Sequence, residues 1–158
     1  MTNATASDLD PSVDYTLIES RFFLQTSSAS GTSELYCSGN GTGTSGAGAF
    51  SAQPLMQFVE RMTVQYGIAE DTVGRDVVRY VSAAEIDGLN GSLNDRWKRV
   101  INVRVCILMR SELPDQAGEG KYLDCAGAAQ PSADRLLRRA YSTVFTLRNR
   151  AGMAVGGA

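Results

Sequence analysis

Histidine is missing from this chain altogether. That removes the side chain that most often serves as a general base near neutral pH and most often binds transition metals. Ser-His-Asp and Cys-His catalysis within the chain are therefore excluded. A zinc site would need cysteine and carboxylates alone, and the three cysteines, Cys37, Cys106 and Cys125, show no CxxC spacing. Long apolar runs are missing too. Nothing approaches the ~18 apolar residues of a membrane-spanning helix, and no signal peptide is visible. The formal charge is only −2, with acids and bases interspersed, which argues against a general nucleic-acid surface.

What is present is one domain's worth of chain, 158 residues. A chain of this length buries roughly 70% of its unfolded surface, enough for one core. Residues 1–12 read as a flexible N-terminus, 13–150 as a single globular unit and 151–158 as a disordered tail. Within the unit, 39–53 is a Gly/Ser/Thr loop too poor in apolar residues to pack.

Alternation of apolar and polar residues is the main structural signal. It predicts strands near 15–25, 59–68, 77–82, 101–110 and 140–149, with a turn or helical start over 54–58. The clearest is Ile101–Arg110. Ile101, Val103, Val105, Ile107 and Met109 face one way, and Asn102, Arg104, Cys106, Leu108 and Arg110 the other. Period two with one wet face is the pattern of an antiparallel strand. Ile101, Val103, Val105, Ile107, Tyr141 and Phe145 are the expected core. Asp95 is placed to cap a helical turn carrying Trp97. Strands joined by Gly-rich turns, with few helical signals, give an α+β, mostly β, fold class.

Three local patterns imitate function. "GTGTSG" (41–46) matches GxGxxG, but no strand–turn–helix unit surrounds it, and Pro54 follows soon after. "AEDTVGRD" (69–76) gathers Glu70, Asp71 and Asp76, but not at alternating ligand positions, so it reads as a solvated turn. "DYTLIES" (14–20) has the aromatic start and fifth-place glutamate, Glu19, of a mature type IV pilin. Asp14 stands where a pilin needs glycine, however, and no apolar helix follows. This stretch reads as a strand.

Other blocks carry a firmer resemblance. "PLMQFVERMTVQYGI" (54–68), "EDTVGRDVVRYVSA" (70–83), "RWKRVINVRVCILMRS" (96–111) and "RLLRRAYSTVFTLRNR" (135–150) follow one another in the order of PilW-type minor pilins of the type IV pilus. The chain resembles that family over about residues 54–150. The resemblance implies a pilin-like head on an antiparallel sheet. PilW-type subunits begin with a basic leader, a cleavage glycine and a long hydrophobic helix. None is seen here, so the expectation is a soluble head region with the N-terminal pilin helix absent.

The resemblance also implies a structural role: priming pilus assembly within a tip complex, in support of adhesion and twitching motility. The implied partners are other minor pilins and the major pilin, with membrane contact only through the helix not seen here. The implied location is the cell-surface pilus or the periplasmic side of the inner membrane. The alternative is the J-type minor pseudopilin of a type II secretion system. Carboxylates or a thiolate could still serve an enzyme, but no two acids obviously converge. The expectation is no enzyme, no cofactor and no metal.

Two further readings concern named residues. Arg135, Arg138 and Arg139, with Arg148 and Arg150 beyond, interleave with Tyr141 and Phe145, a mixture that suits single-stranded nucleic acid. The competing reading points both aromatics into the core. The second concerns the cysteines, since a head folded outside the cytoplasm keeps disulfides. Folding Ile101–Arg110 back on Lys121–Cys125 as a hairpin sets Arg110 against Lys121, Leu108 against Leu123 and Cys106 against Cys125, within bonding range. A Cys106–Cys125 bridge with Cys37 free is expected, and Cys37–Cys125 is the rival.

Overall fold

The computed structural model describes residues 19–40, 51–114 and 120–151. Three antiparallel sheets make up most of it. β1 (Ser20–Thr26), β2 (Ser33–Gly39) and β3 (Ser51–Gln57) form the first, in that order. β4 (Val59–Ile68), β5 (Arg79–Val81), β6 (Val100–Pro114) and β9 (Leu136–Thr146) form the second, in the order β5-β4-β6-β9. β7 (Gly120–Leu123) and β8 (Ala129–Ser132) pair as a small hairpin. The helices are short: α1 (Ala83–Asp87), α2 (Leu93–Lys98) and α3 (Arg148–Ala151). The fold is α+β and mostly β, as the alternation predicts.

The chain passes from the first sheet to the second at one residue. Phe58 lies between β3 and β4 with φ 61, a conformation that bulky side chains rarely adopt. Two contacts hold the corner. The Arg110 backbone N–H donates to the Phe58 carbonyl at 3.0 Å, and the Arg110 guanidinium sits 5.5 Å from the centre of the Phe58 ring. Val59, the next residue, is fully buried. The expected turn or helical start over 54–58 is therefore corrected. Leu55 and Met56 are exposed and belong to β3, whose backbone is satisfied by β2.

Ile68, Val81, Ile86 and Val100 form the buried cluster, with Tyr66, Leu89, Trp97 and Leu147 packed around it. Local chemistry brings α1 and α2 onto this end of the sheet. Ser82 caps α1 in a capping box: its hydroxyl accepts from Glu85 N–H, and the Glu85 carboxylate accepts from Ser82 N–H at 2.7 Å. Ser92, not Asp95, caps α2, its hydroxyl accepting from Asp95 N–H. Asp95 lies one turn too far inside to cap. Trp97 then stands edge-on to Tyr66, with ring centres 5.1 Å apart, and its indole N–H reaches Asp87 at 3.0 Å.

The register of the second sheet sorts its side chains into two faces. Met62, Ile107 and Tyr141 are partners in one row, Val64, Val105 and Thr143 in the next, Tyr66, Val103 and Phe145 in the third. On the opposite face Arg61, Leu108 and Ala140 share a row, as do Thr63, Cys106 and Ser142, and Gln65, Arg104 and Val144. The expected core is thus corrected. Ile101 is buried, but Val103, Val105 and Ile107 are only half-buried, and Tyr141 and Phe145 are 54% and 57% exposed. It is Cys106 and Leu108, expected on the wetter face, that are buried. Both sides of β6 are apolar enough to be covered, and the β7–β8 segment covers the Cys106 side.

Candidate functional site

A covalent tie fastens that cover. Cys106, in the centre of β6, is joined to Cys125, just beyond β7, with Cα atoms 5.8 Å apart, and Cys37 is free. The bridge does not sit across the expected hairpin of Ile101–Arg110 with Lys121–Cys125. β6 is flanked by β4 and β9, and β7 pairs with β8 instead. Arg110 faces Arg138, not Lys121, and Leu108 faces Arg61 and Ala140, not Leu123. The bridge holds the β7–β8 hairpin down on a sheet face that is already hydrogen-bonded on both sides.

Four residues further along the same face, opposite Arg110, lies a largely covered arginine. Arg138 extends from β9 with its side chain only 11% exposed. Its Nε and Nη2 donate to the two oxygens of Glu60 at 2.7 and 2.9 Å. Nη1 and Nη2 donate to the two oxygens of Asp134 at 2.7 and 2.6 Å, and Nη1 also reaches Ser132 Oγ at 2.9 Å. The Tyr122 ring lies on one side of the guanidinium, 5.3 Å away. Two bidentate forks on one guanidinium are strong, orienting contacts. The fork to Asp134, helped by the Leu136 N–H, holds the Asp134 carboxyl far below the ordinary carboxylate range, and the forks to Asp134 and Glu60 push Arg138 up. Glu60 reaches this group because it is the extra residue of a bulge between Val59 and Arg61.

The arginines singled out from the sequence do not share a surface. Arg138 is committed to Glu60 and Asp134. Arg139, its neighbour on the strand, belongs to the opposite face, with its guanidinium 5.7 Å from the Tyr141 ring. Arg135 is exposed at the turn before β9, at φ 61. The pairing of Arg138 with two acids was not legible in the sequence, because Glu60 lies 78 residues away.

The other face of the second sheet is the larger apolar feature. Met62, Val64, Tyr66, Val103, Val105 and Ile107 line it half-buried, and Tyr141 and Phe145 continue it exposed to the outer strand. The helices α1 and α2 pack at its Tyr66 end. A strand normally turns side chains like these against a second layer. Among the described residues, no helix is long and apolar enough to cross a membrane.

Comparison with known proteins bears on both features. No curated protein and no solved structure matches the chain. One family model matches, the type IV pilus-assembly protein W, over residues 21–149. The match runs from β1 through β9, so it takes in both larger sheets, the bridged hairpin and the open face. The chain belongs to the PilW family of type IV pilus-assembly proteins.

Proposed function

We propose that residues 13–150 are the globular head of a minor pilin that helps to prime type IV pilus assembly and sits in the tip complex, in support of adhesion and twitching motility. Membership of a pilus-assembly family supports the setting. The open apolar face of the second sheet is the observation that carries the reading. A surface with Val103, Val105 and Ile107 half-covered and Tyr141 and Phe145 bare suits an apolar helix laid across the strands. The long hydrophobic helix that the family resemblance implies is the fitting occupant. Burying one aromatic or aliphatic side chain of this face contributes roughly 1.5–3 kcal/mol, so several together make a stable seam.

On this reading the partners are other minor pilins and the major pilin, and the working location is the pilus and the periplasmic side of the inner membrane. The protein's contribution is packing and recognition. The test is co-purification from a piliated strain of its cognate minor pilins with the tagged full-length protein. Retention of at least one minor pilin is the expected result. Recovery of the tagged protein with no pilin bound, under conditions that preserve pili, would remove the assembly reading.

A further inference from the structure

On the bridged face of the second sheet lies an open cleft of about 350 Å³. Arg61, Thr63 and Gln65 of β4 and Arg104 of β6 form its floor, and Asp124, Cys125 and Ala126 form its wall. The register explains the grouping. Arg61, Thr63 and Gln65 alternate onto one face, and Gln65 stands opposite Arg104. The wall belongs to the segment that the Cys106–Cys125 bridge pins against Thr63's neighbour on β6.

The floor is rich in hydrogen-bond donors. It offers two guanidinium groups, a hydroxyl and an amide. Arg104 sits over Tyr80, its guanidinium carbon 3.6 Å from the ring centre. A contact with the ring face anchors the group without consuming its N–H donors. Among the described residues Arg104 has no carboxylate partner. The one acid in the cleft is already engaged. Asp124 Oδ1 accepts from the Ala126 and Ala128 N–H groups, both at 2.9 Å, and its Oδ2 accepts from Gln130 at 2.9 Å. These bonds, the Ala128 N–H first among them, together with the nearby positive charge of Arg61, hold its pKa below the ordinary value, so it stays charged. Two cations face one anion whose lone pairs are largely used.

We infer that this cleft is an oxyanion site, built to take a carboxylate or phosphate group between Arg61 and Arg104, with Thr63 and Gln65 as supporting donors. Guanidinium groups match either oxyanion through paired N–H donors. The disulfide keeps the wall in place, so the site belongs to the oxidised form of the protein.

The experiment is a titration of the oxidised protein, followed by NMR of its backbone amides and arginine Nε–H groups. Inorganic phosphate and N-acetylglutamate are the probes in separate arms. Saturable shifts centred on Thr63, Gln65, Arg104 and Ala126 are expected in at least one arm, and the tighter arm identifies the ligand class. Arg104→Gln and Arg61→Gln should each weaken binding about tenfold or more, the loss of one charge-assisted contact. Lys121→Gln, on an exposed strand position outside the cleft, should bind as the unaltered protein does. Non-saturating shifts in both arms would overturn the site. So would shifts spread equally over all exposed arginines, or unchanged affinity in both arginine variants with folded spectra.

Discussion

Arg138 shows how a single residue can be misread when its partners are remote. In the sequence it stands beside Arg139 in a basic stretch, and the pair suggests a charged surface. In the fold its guanidinium lies between Glu60 and Asp134, with little of the side chain exposed. Replacing Arg138 by Ala should cost about 2 kcal/mol, because hydrogen bonds to charged groups are lost and Glu60 is left half-buried without its partner. Urea unfolding would measure it. The acid limb of stability follows from Asp134. Its folded pKa lies below its ordinary value. Its contribution is therefore full above the ordinary carboxylate range and is lost as pH falls through that range towards the depressed value. Asp134→Asn should be less stable than the unaltered protein at neutral pH and should lose less on acidification. Parallel pH profiles for the two proteins would contradict this account.

At the scale of elements, β6 was the most legible part of the chain and also the source of the largest error. The strict alternation from Ile101 to Arg110 identifies a strand, and the strand is there. It does not say which face is inside, because both rows of β6 carry apolar side chains. The choice was made by the β7–β8 hairpin, which covers Cys106 and Leu108, and that hairpin pairs within itself through residues the alternation barely marks. β3 is poorly marked in the sequence for a related reason. Its residues follow a Gly-rich tract and include Pro54, so the local signal is poor, and the strand exists because β2 supplies its hydrogen-bond partners. In the candidate site, the cysteines were visible as chemistry, but their setting was not. The polar row Arg61, Thr63, Gln65 is present in the sequence as an alternation inside β4, yet its cleft needs a wall from the remote segment Asp124–Ala126.

Two measurements belong to this scale. The Cys106–Cys125 bridge closes a loop with a sequence separation of 19, worth about 3 kcal/mol in the chain-entropy model. The Cys106→Ala/Cys125→Ala double variant should lose an amount of that order in urea unfolding, and peptide mapping of the non-reduced protein should link these two cysteines. A linked peptide containing Cys37 would reject the pairing. Ile86, fully buried where α1 meets the sheet, should cost about 2–4 kcal/mol on truncation to Ala. A shift of only a few tenths would mean that α1 does not pack there.

For the whole molecule, the two faces of the second sheet divide the work. One is closed by a bridged hairpin and carries the donor-rich cleft. The other is apolar and, among the described residues, open beyond the reach of α1 and α2. On the proposed reading, this is the face that a PilW-family protein turns to its assembly partners. The decisive variant changes that face without touching the buried cluster. Tyr141 and Phe145 are both more than half exposed, so Tyr141→Glu/Phe145→Glu should leave the unfolding free energy in urea nearly unchanged, within about 1 kcal/mol for exposed positions. The measurement is the number of surface pili in a strain in which the full-length protein carrying these two changes replaces the unaltered one. The account predicts a folded protein at normal abundance and a severe loss of pili. Normal piliation with both glutamates in place would contradict it.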